Sequence, residues 1–311
     1  MASDPFHPWW RDNAFGNFTW VWISAAAKET ENMQFVTGVT APIFRYHPAV
    51  IAQAFASLDV LFPGRIGLGL GTGEAINEVP LGFDWPKAKV RLARMKEAAE
   101  LIRKLWNASE DGGLVAYNGA HYHIRNAKLY TPPKSHIPLY MAATGKESVK
   151  VAAQYSDGLI TFLKAKQSKE LFDEFNKAAK EAGKDPSSLE KIAEYKVSFD
   201  EDYDKAFEST KFSRATLIED VFNSSIGDPR KLQKKAEKEV PDEKLKESIQ
   251  IATSIEECIK SIEGYFNADF TRVYLHSTSP DEIKFLQSFG KKVIPYFDEK
   301  KTGRTPATAS A

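Results

Sequence analysis

Cysteine is all but missing from this chain: its 311 residues contain one, Cys258. A lone thiol closes no internal disulfide and has no partner thiolate for a metal cage. A disulfide-stapled secreted domain is therefore disfavoured, and a reducing, cytoplasmic setting is the expectation. Net charge is missing too, with 42 basic against 42 acidic residues, and no Lys/Arg block stands clear of acidic neighbours. That balance argues against nucleic acid and against an anionic membrane surface as partners. No apolar run approaches the roughly 18 residues of a membrane span. The opening MASDPFHPWWRDNAF has no basic stretch leading into an apolar one, so it does not read as a secretory signal.

The common nucleotide fingerprints are absent as well. The glycines of GLGLGTGEAINE (67–78) invite a G-x-G-x-x-G reading, but Thr72, Glu74 and Ile76 stand where the third glycine must fall. ATGKES (143–148) is no P-loop, because Tyr140 occupies the first glycine position and Glu147 follows the lysine.

What is present is an alternation. Short apolar runs at 33–39, 65–71, 137–143, 157–163, 192–199 and 270–277 read as strands. Helix-period segments follow at 48–60, 86–106, 146–155, 168–182, 202–220 with 229–239, 254–267 and 280–290. Strand–helix alternation predicts a parallel sheet with right-handed crossovers. Segment 113–126 stands outside it as a hairpin about the Asn118-Gly119 turn. The lysine- and glutamate-rich stretch 164–247 reads as solvated helices. One domain over 1–298 is expected, and 299–311, without apolar periodicity, reads as a disordered tail.

In parallel α/β architectures ligands bind at the carboxyl ends of strands. Gly67, Gly69 and Gly71 share one face of their strand, which either packs closely on a neighbour or leaves room for a flat ligand. Glu74 and Asn77 lie just past that strand, where a carboxylate serves as acid or base, or as a helix N-terminal acid. Arg45 and His47 are either ligands or structural partners, and Pro48 fits the first turn of the next helix. Thr144, Gly145 and Ser148 sit at a strand-to-helix junction, suited to a phosphate or to an ordinary cap. Trp9 and Trp10 are ligand candidates, whereas Trp20 and Trp22 read as core or rim.

SDPFHPW, TGVTAPIFRYHPAVIAQAFA, FPGRIGLGLGTGEAINE and AATG…SDG, in that order and spacing, resemble the luciferase-like barrel oxidoreductases that use coenzyme F420. The branch is that of the F420-dependent glucose-6-phosphate and secondary alcohol dehydrogenases, and the resemblance covers residues 3–295. It implies a TIM-type (β/α)8 barrel, a small-molecule substrate, a homodimer, and hydride transfer between a CH–OH carbon and the deazaflavin. Within that resemblance the glycine face makes room for the deazaflavin ring, and Glu74 handles a proton beside it. Asp4, Thr72, Gly73 and Asn77 match coenzyme contacts, and Gly38-Val39 matches a non-proline cis peptide behind the ring. Thr144, Gly145, Glu147 and Ser148 match the segment holding the coenzyme's phosphate, and Trp9 matches a substrate-pocket tryptophan.

The chain departs from that pattern at named positions. Pro5 stands where the family carries its catalytic histidine, which makes His7 the expected replacement base, and Ala41 replaces a coenzyme-contacting threonine. Phe162, Ala165, Asn223 and Ser248 occupy the sugar-phosphate positions, so glucose 6-phosphate is expected to be a poor substrate. Six strands are counted where a closed barrel needs eight. The expectation is a barrel without its first strand, its first helix and most of its second strand. An FMN-dependent monooxygenase of the same fold, or a coenzyme-binding protein without turnover, is the alternative; a glycosidase barrel lacks a second carboxylate with an equal claim.

Overall fold

The computed structural model describes residues 1–10, 16–110 and 112–301. Its strands are β1 (Phe35–Val36), β2 (Ile66–Leu70), β3 (Val115–Asn118), β4 (His123–Ala127), β5 (Leu139–Ala142), β6 (Gly158–Thr161), β7 (Glu190–Phe199), β8 (Gln250–Ala252) and β9 (Arg272–Ser277). The helices are α1 (Thr19–Lys28), α2 (Pro48–Leu61), α3 (Ala75–Glu78), α4 (Ala88–Glu110), α5 (Lys146–Tyr155) and α6 (Lys169–Glu181). They continue as α7 (Tyr203–Thr210), α8 (Pro229–Glu239), α9 (Asp242–Ser248), α10 (Ile255–Phe266), α11 (Glu282–Ser288) and α12 (Ile294–Lys301).

Strands β1, β2, β5, β6 and β7 pair in parallel in that order, and β8 and β9 both pair with β7. Helices cover the outer face, and on the inner face Tyr140, Ile160 and Ile192 pack with Val36, Val39 and Tyr274. This is the α/β barrel architecture, with β3 and β4 as the expected hairpin outside it. Ala2 bridges Thr37 in parallel register beside β1, and Arg272 Nη1 at the start of β9 donates to Gln34 Oε1 at 3.3 Å.

Several expectations need correction. The described parallel sheet has seven strands rather than six, because β8, three residues between the charged stretch 164–247 and the helix that follows, is too short to show as an apolar run. Helix α1 was not anticipated, since its aromatic residues obscure the 3.6-residue period. Trp20 is in the core, whereas Trp22 is 49% exposed. Helix α12 runs to Lys301, and residues 302–311 of the expected tail lie outside the described residues.

The glycine face of β2 also turns out differently. A Cβ on Gly69 would stand 2.1 Å from the Thr37 carbonyl oxygen, and one on Gly71 would stand 2.3 Å from Val39 Cγ2. These glycines admit the neighbouring backbone; they do not leave an open slot. The neighbour is the bulge carrying the Gly38–Val39 peptide, which is cis as the resemblance implied. Pairing resumes beyond it, with Thr40 N donating to Gly69 O at 2.8 Å and Gly71 N donating to Thr40 O at 3.0 Å. Close packing of β2 thus pushes Val39 inward.

Candidate active site

Past β2 the chain turns at Gly73, whose φ of +74° suits glycine alone among ordinary residues. Glu74 follows as the residue preceding α3, yet its side chain makes no cap hydrogen bond. Its carboxylate instead accepts from Asn77 Nδ2 at 2.9 Å. Asn77 Oδ1 accepts from the backbone N–H of Phe6 at 2.7 Å and of His7 at 3.3 Å, so one amide fixes both Glu74 and the loop 4–7. Burial pushes the Glu74 carboxyl up to about 7; the Asn77 bond and the Arg45 charge oppose that shift, while Glu78 and Glu194 reinforce it. A carboxyl titrating there both gives and takes protons at neutral pH.

Asp4 is buried and fully engaged. It accepts from Thr40 Oγ1 at 2.8 Å and Tyr46 OH at 3.2 Å, with Arg45 Nη2 at 3.6 Å. Burial raises its carboxyl above the usual range, against the pull of Arg45 and the two hydroxyls. Arg45 also donates to the Asp4 carbonyl at 2.7 Å, and its backbone N–H to Glu78 Oε2 at 2.9 Å. Arg45 is thereby a structural partner. His47 caps α2, its Nδ1 accepting from Ala49 N at 3.2 Å.

A cavity of about 1290 Å³ opens at the carboxyl ends of the strands. Asp4, Trp9, Gly38, Val39, Glu74 and Asn77 line it, so the structure brings these expected residues together. Others lie elsewhere. His7 lines a separate depression with Val79, Pro80 and Gly227, and its Nδ1 is 3.1 Å from Gly227 O. Ala41 and Gly73 are buried against one another, and Thr72 is outside the cavity wall. Thr144, Gly145 and Glu147 are exposed at the start of α5, where Ser148 Oγ bonds Gly145 N at 3.2 Å as an ordinary cap.

Sequence reasoning missed the opposite wall. On β7, Ile192, Glu194 and Lys196 alternate inward while Ala193, Tyr195 and Val197 join the outer core. Glu194 Oε1 lies 2.8 Å from His276 Nδ1 on β9, and Lys196 Nζ donates to Thr216 Oγ1 at 3.0 Å. Burial alone would raise Glu194, but the His276 bond and the Lys196 charge hold it below the usual carboxylate range. Burial lowers Lys196. The signal was available: in IAEYKVSF the two charges, Glu194 and Lys196, are two residues apart and so share one face of the strand with Ser198.

The remaining wall is aromatic and basic. Phe222 stands edge-on to Trp9 at 6.5 Å and stacks on Phe162 at 6.3 Å. Lys164, Lys166, Lys246 and Lys260 line the same cavity. Of the expected sugar-phosphate positions, Phe162, Ala165 and Ser248 are on the wall, whereas Asn223 lies 3.5 Å from Arg91 Nη2 and off it. Those three positions carry no charge of their own; the lysines beside them on the wall, Lys164, Lys166, Lys246 and Lys260, are all exposed.

Comparison with known proteins bears on what this arrangement does. The model of the luciferase-like monooxygenase family matches residues 6–272. An F420-dependent glucose-6-phosphate dehydrogenase of Microbacterium testaceum is 34% identical over 300 residues, 95% of this chain and 87% of that protein. A protein of the same description from Rhodococcus jostii is 35% identical over 299 residues, 94% and 88% of the two chains. Among solved structures, an F420-dependent secondary alcohol dehydrogenase in complex with an F420-acetone adduct matches with a TM-score of 0.88. It is 37% identical, and the match covers 93% of this chain and 87% of that one.

Proposed function

Because the chain belongs to the luciferase-like monooxygenase family, we propose that it is a coenzyme F420-dependent oxidoreductase acting on an alcohol or sugar. The coenzyme, when bound, supplies the hydride chemistry: it takes a hydride from a CH–OH carbon or returns one to a carbonyl. The observation that carries the reading is Glu74, held at about 7 by burial on the wall of a cavity that Val39 also lines.

In this proposal the Gly38–Val39 backbone backs the coenzyme and Asn77 holds Glu74 toward it. The N–H groups of the first turn of α5 receive its phosphate, consistent with the open space around Gly145. Asp4 acts at one remove, by fixing Thr40 and Arg45 behind the bulge. Trp9, Phe162 and Phe222 form the substrate side. His7, in its own depression, has no part in this assignment. Sugar phosphates and simple alcohols both fit a wall that carries aromatic rings and lysines.

Titrating the purified protein with the deazaflavin and with FMN, and following fluorescence, tests the coenzyme. Binding of the deazaflavin at micromolar or lower concentration, and weaker binding of FMN, is expected. Tight FMN binding with none for the deazaflavin would overturn the proposal in favour of a flavin monooxygenase.

The finer parts of the reading are a homodimer and a cytoplasmic location. Val21 and Leu61, 66% and 63% exposed, flank an apolar groove between α1 and α2 suited to a second copy. Sedimentation should show a dimer that Leu61→Glu dissociates; a monomeric parent at micromolar concentration rules this out. No described helix is long and apolar enough to cross a membrane, and Cys258 is buried with its thiol pushed up to about 12.

A further inference from the structure

We propose that His276, oriented by Glu194, is the base that removes the hydroxyl proton of the substrate, while Glu74 serves the coenzyme side of the cavity. The inference rests on the oxidoreductase reading above. Oxidising a secondary alcohol breaks two bonds. The C–H hydrogen leaves with its electron pair as a hydride for the coenzyme, which is the oxidant. The O–H proton must pass to a base as the carbonyl forms. The protein therefore needs a proton acceptor beside the substrate, distinct from the group that serves the coenzyme.

His276 is the imidazole on the described cavity wall. Its environment fixes its tautomer. Glu194 is held ionised, so it can only accept, and His276 Nδ1 must be the donor in their 2.8 Å contact. In the neutral imidazole that arrangement makes Nε2 the acceptor, the form a base requires. A carboxylate that orients an imidazole also stabilises the cation formed when the proton arrives. Glu194 is a positioning residue in this scheme, and Lys196 limits how much negative charge the pair presents.

The charged and titratable groups around His276 are few. Glu194 and Lys196 face it from β7, and the Tyr274 ring on its own strand stacks at 6.0 Å. Glu74 and Asp4 line the opposite wall. The geometry also accounts for depth: Ile192 and Tyr274 join the apolar floor, so a substrate entering from the mouth stops at the next residues up, Glu194 and His276.

The test uses the full chain loaded with the deazaflavin, with propan-2-ol and glucose 6-phosphate as substrates. His276→Asn should lower kcat roughly 100- to 10,000-fold, the range for a general base, with coenzyme affinity unchanged. It should also abolish the fall in kcat/KM at acid pH. Added imidazole should restore part of the rate to His276→Ala. Glu194→Gln should lower kcat less, and melting curves identify any variant that fails to fold. Independently of turnover, diethyl pyrocarbonate should label His276 in the free protein, read by peptide mass spectrometry, and coenzyme plus alcohol should protect it. Undiminished kcat in His276→Asn, an acid limb that persists, or wild type that binds coenzyme but oxidises neither alcohol overturns the proposal. Failure to bind the deazaflavin at all overturns instead the function on which it rests.

Discussion

Glu74→Gln should slow hydride transfer roughly 100- to 10,000-fold, the range associated with a positioned acid or base, while the protein binds the deazaflavin as tightly as before. Glutamine keeps the shape and still offers an oxygen to Asn77 Nδ2, so the 2.9 Å contact that ties Glu74 to the loop 4–7 survives. What it loses is a titratable proton at about 7. In the direction that draws a proton from Glu74, the wild-type rate should fall as pH rises through 7; in the reverse direction it should rise. The variant should show neither limb. Unchanged turnover in Glu74→Gln would reduce Glu74 to a structural residue at the start of α3.

The same burial has a stability cost with a definite sign. A carboxyl raised from 4.5 to about 7 holds its proton in the folded state over a range where the unfolded chain has released it. Stability therefore falls as pH rises between those values; the penalty is absent below 4.5 and complete above 7. At 1.36 kcal/mol per pH unit the gap corresponds to roughly 3 kcal/mol. Glu74→Gln removes the penalty, so the inactive variant should melt higher than wild type at pH 8 and at nearly the same temperature at pH 4. Activity and stability pull against each other at this residue.

How much of this was legible beforehand depends on which residues do local work and which act across the barrel. Strands β2, β5, β6, β7 and β9 announced themselves as short apolar runs, and Glu74 by standing just beyond one of them. Its upward shift was not visible, because that comes first from burial in the folded barrel and only secondarily from the charges of Glu78 and of Glu194, 120 residues further along the chain. Helix α1 was hidden by the aromatic residues at three of the five positions of FTWVW, and β8 by its length of three residues. His7 drew attention through nearness in sequence to Pro5, but the loop 4–7 turns it toward Gly227. His276 and Glu194 come together only because β7 and β9 are neighbours in the sheet. Proximity along the chain was a poor guide to the second proton site; strand parity was the better one.

The glycines that first suggested a nucleotide loop yield the other large effect. Gly69→Ala should lower the melting temperature by several degrees and weaken deazaflavin binding, although it adds one methyl group. The new carbon would lie 2.1 Å from the Thr37 carbonyl oxygen and 3.2 Å from Ile160 Cδ1. An isoleucine end can rotate away, but a backbone carbonyl held in the sheet cannot. Overpacking of a tight core commonly costs about 1–3 kcal/mol, and the backbone obstacle puts this substitution at the upper end. The strain falls on Thr37, whose hydroxyl donates to Gly69 O at 3.0 Å and accepts from Gly69 N at 3.0 Å. Displacing Thr37 displaces the next two residues, Gly38 and Val39, which line the cavity. Gly264→Ala provides the contrast: it lies inside α10 with open space where the methyl would go. That change should instead stabilise by roughly 0.5–1 kcal/mol, because alanine loses less backbone entropy than glycine in a helix. Equal melting temperatures for Gly69→Ala and wild type would mean that β2 and the bulge can separate freely. The alternating glycines would then have to be explained by the ligand and not by the strand beside them.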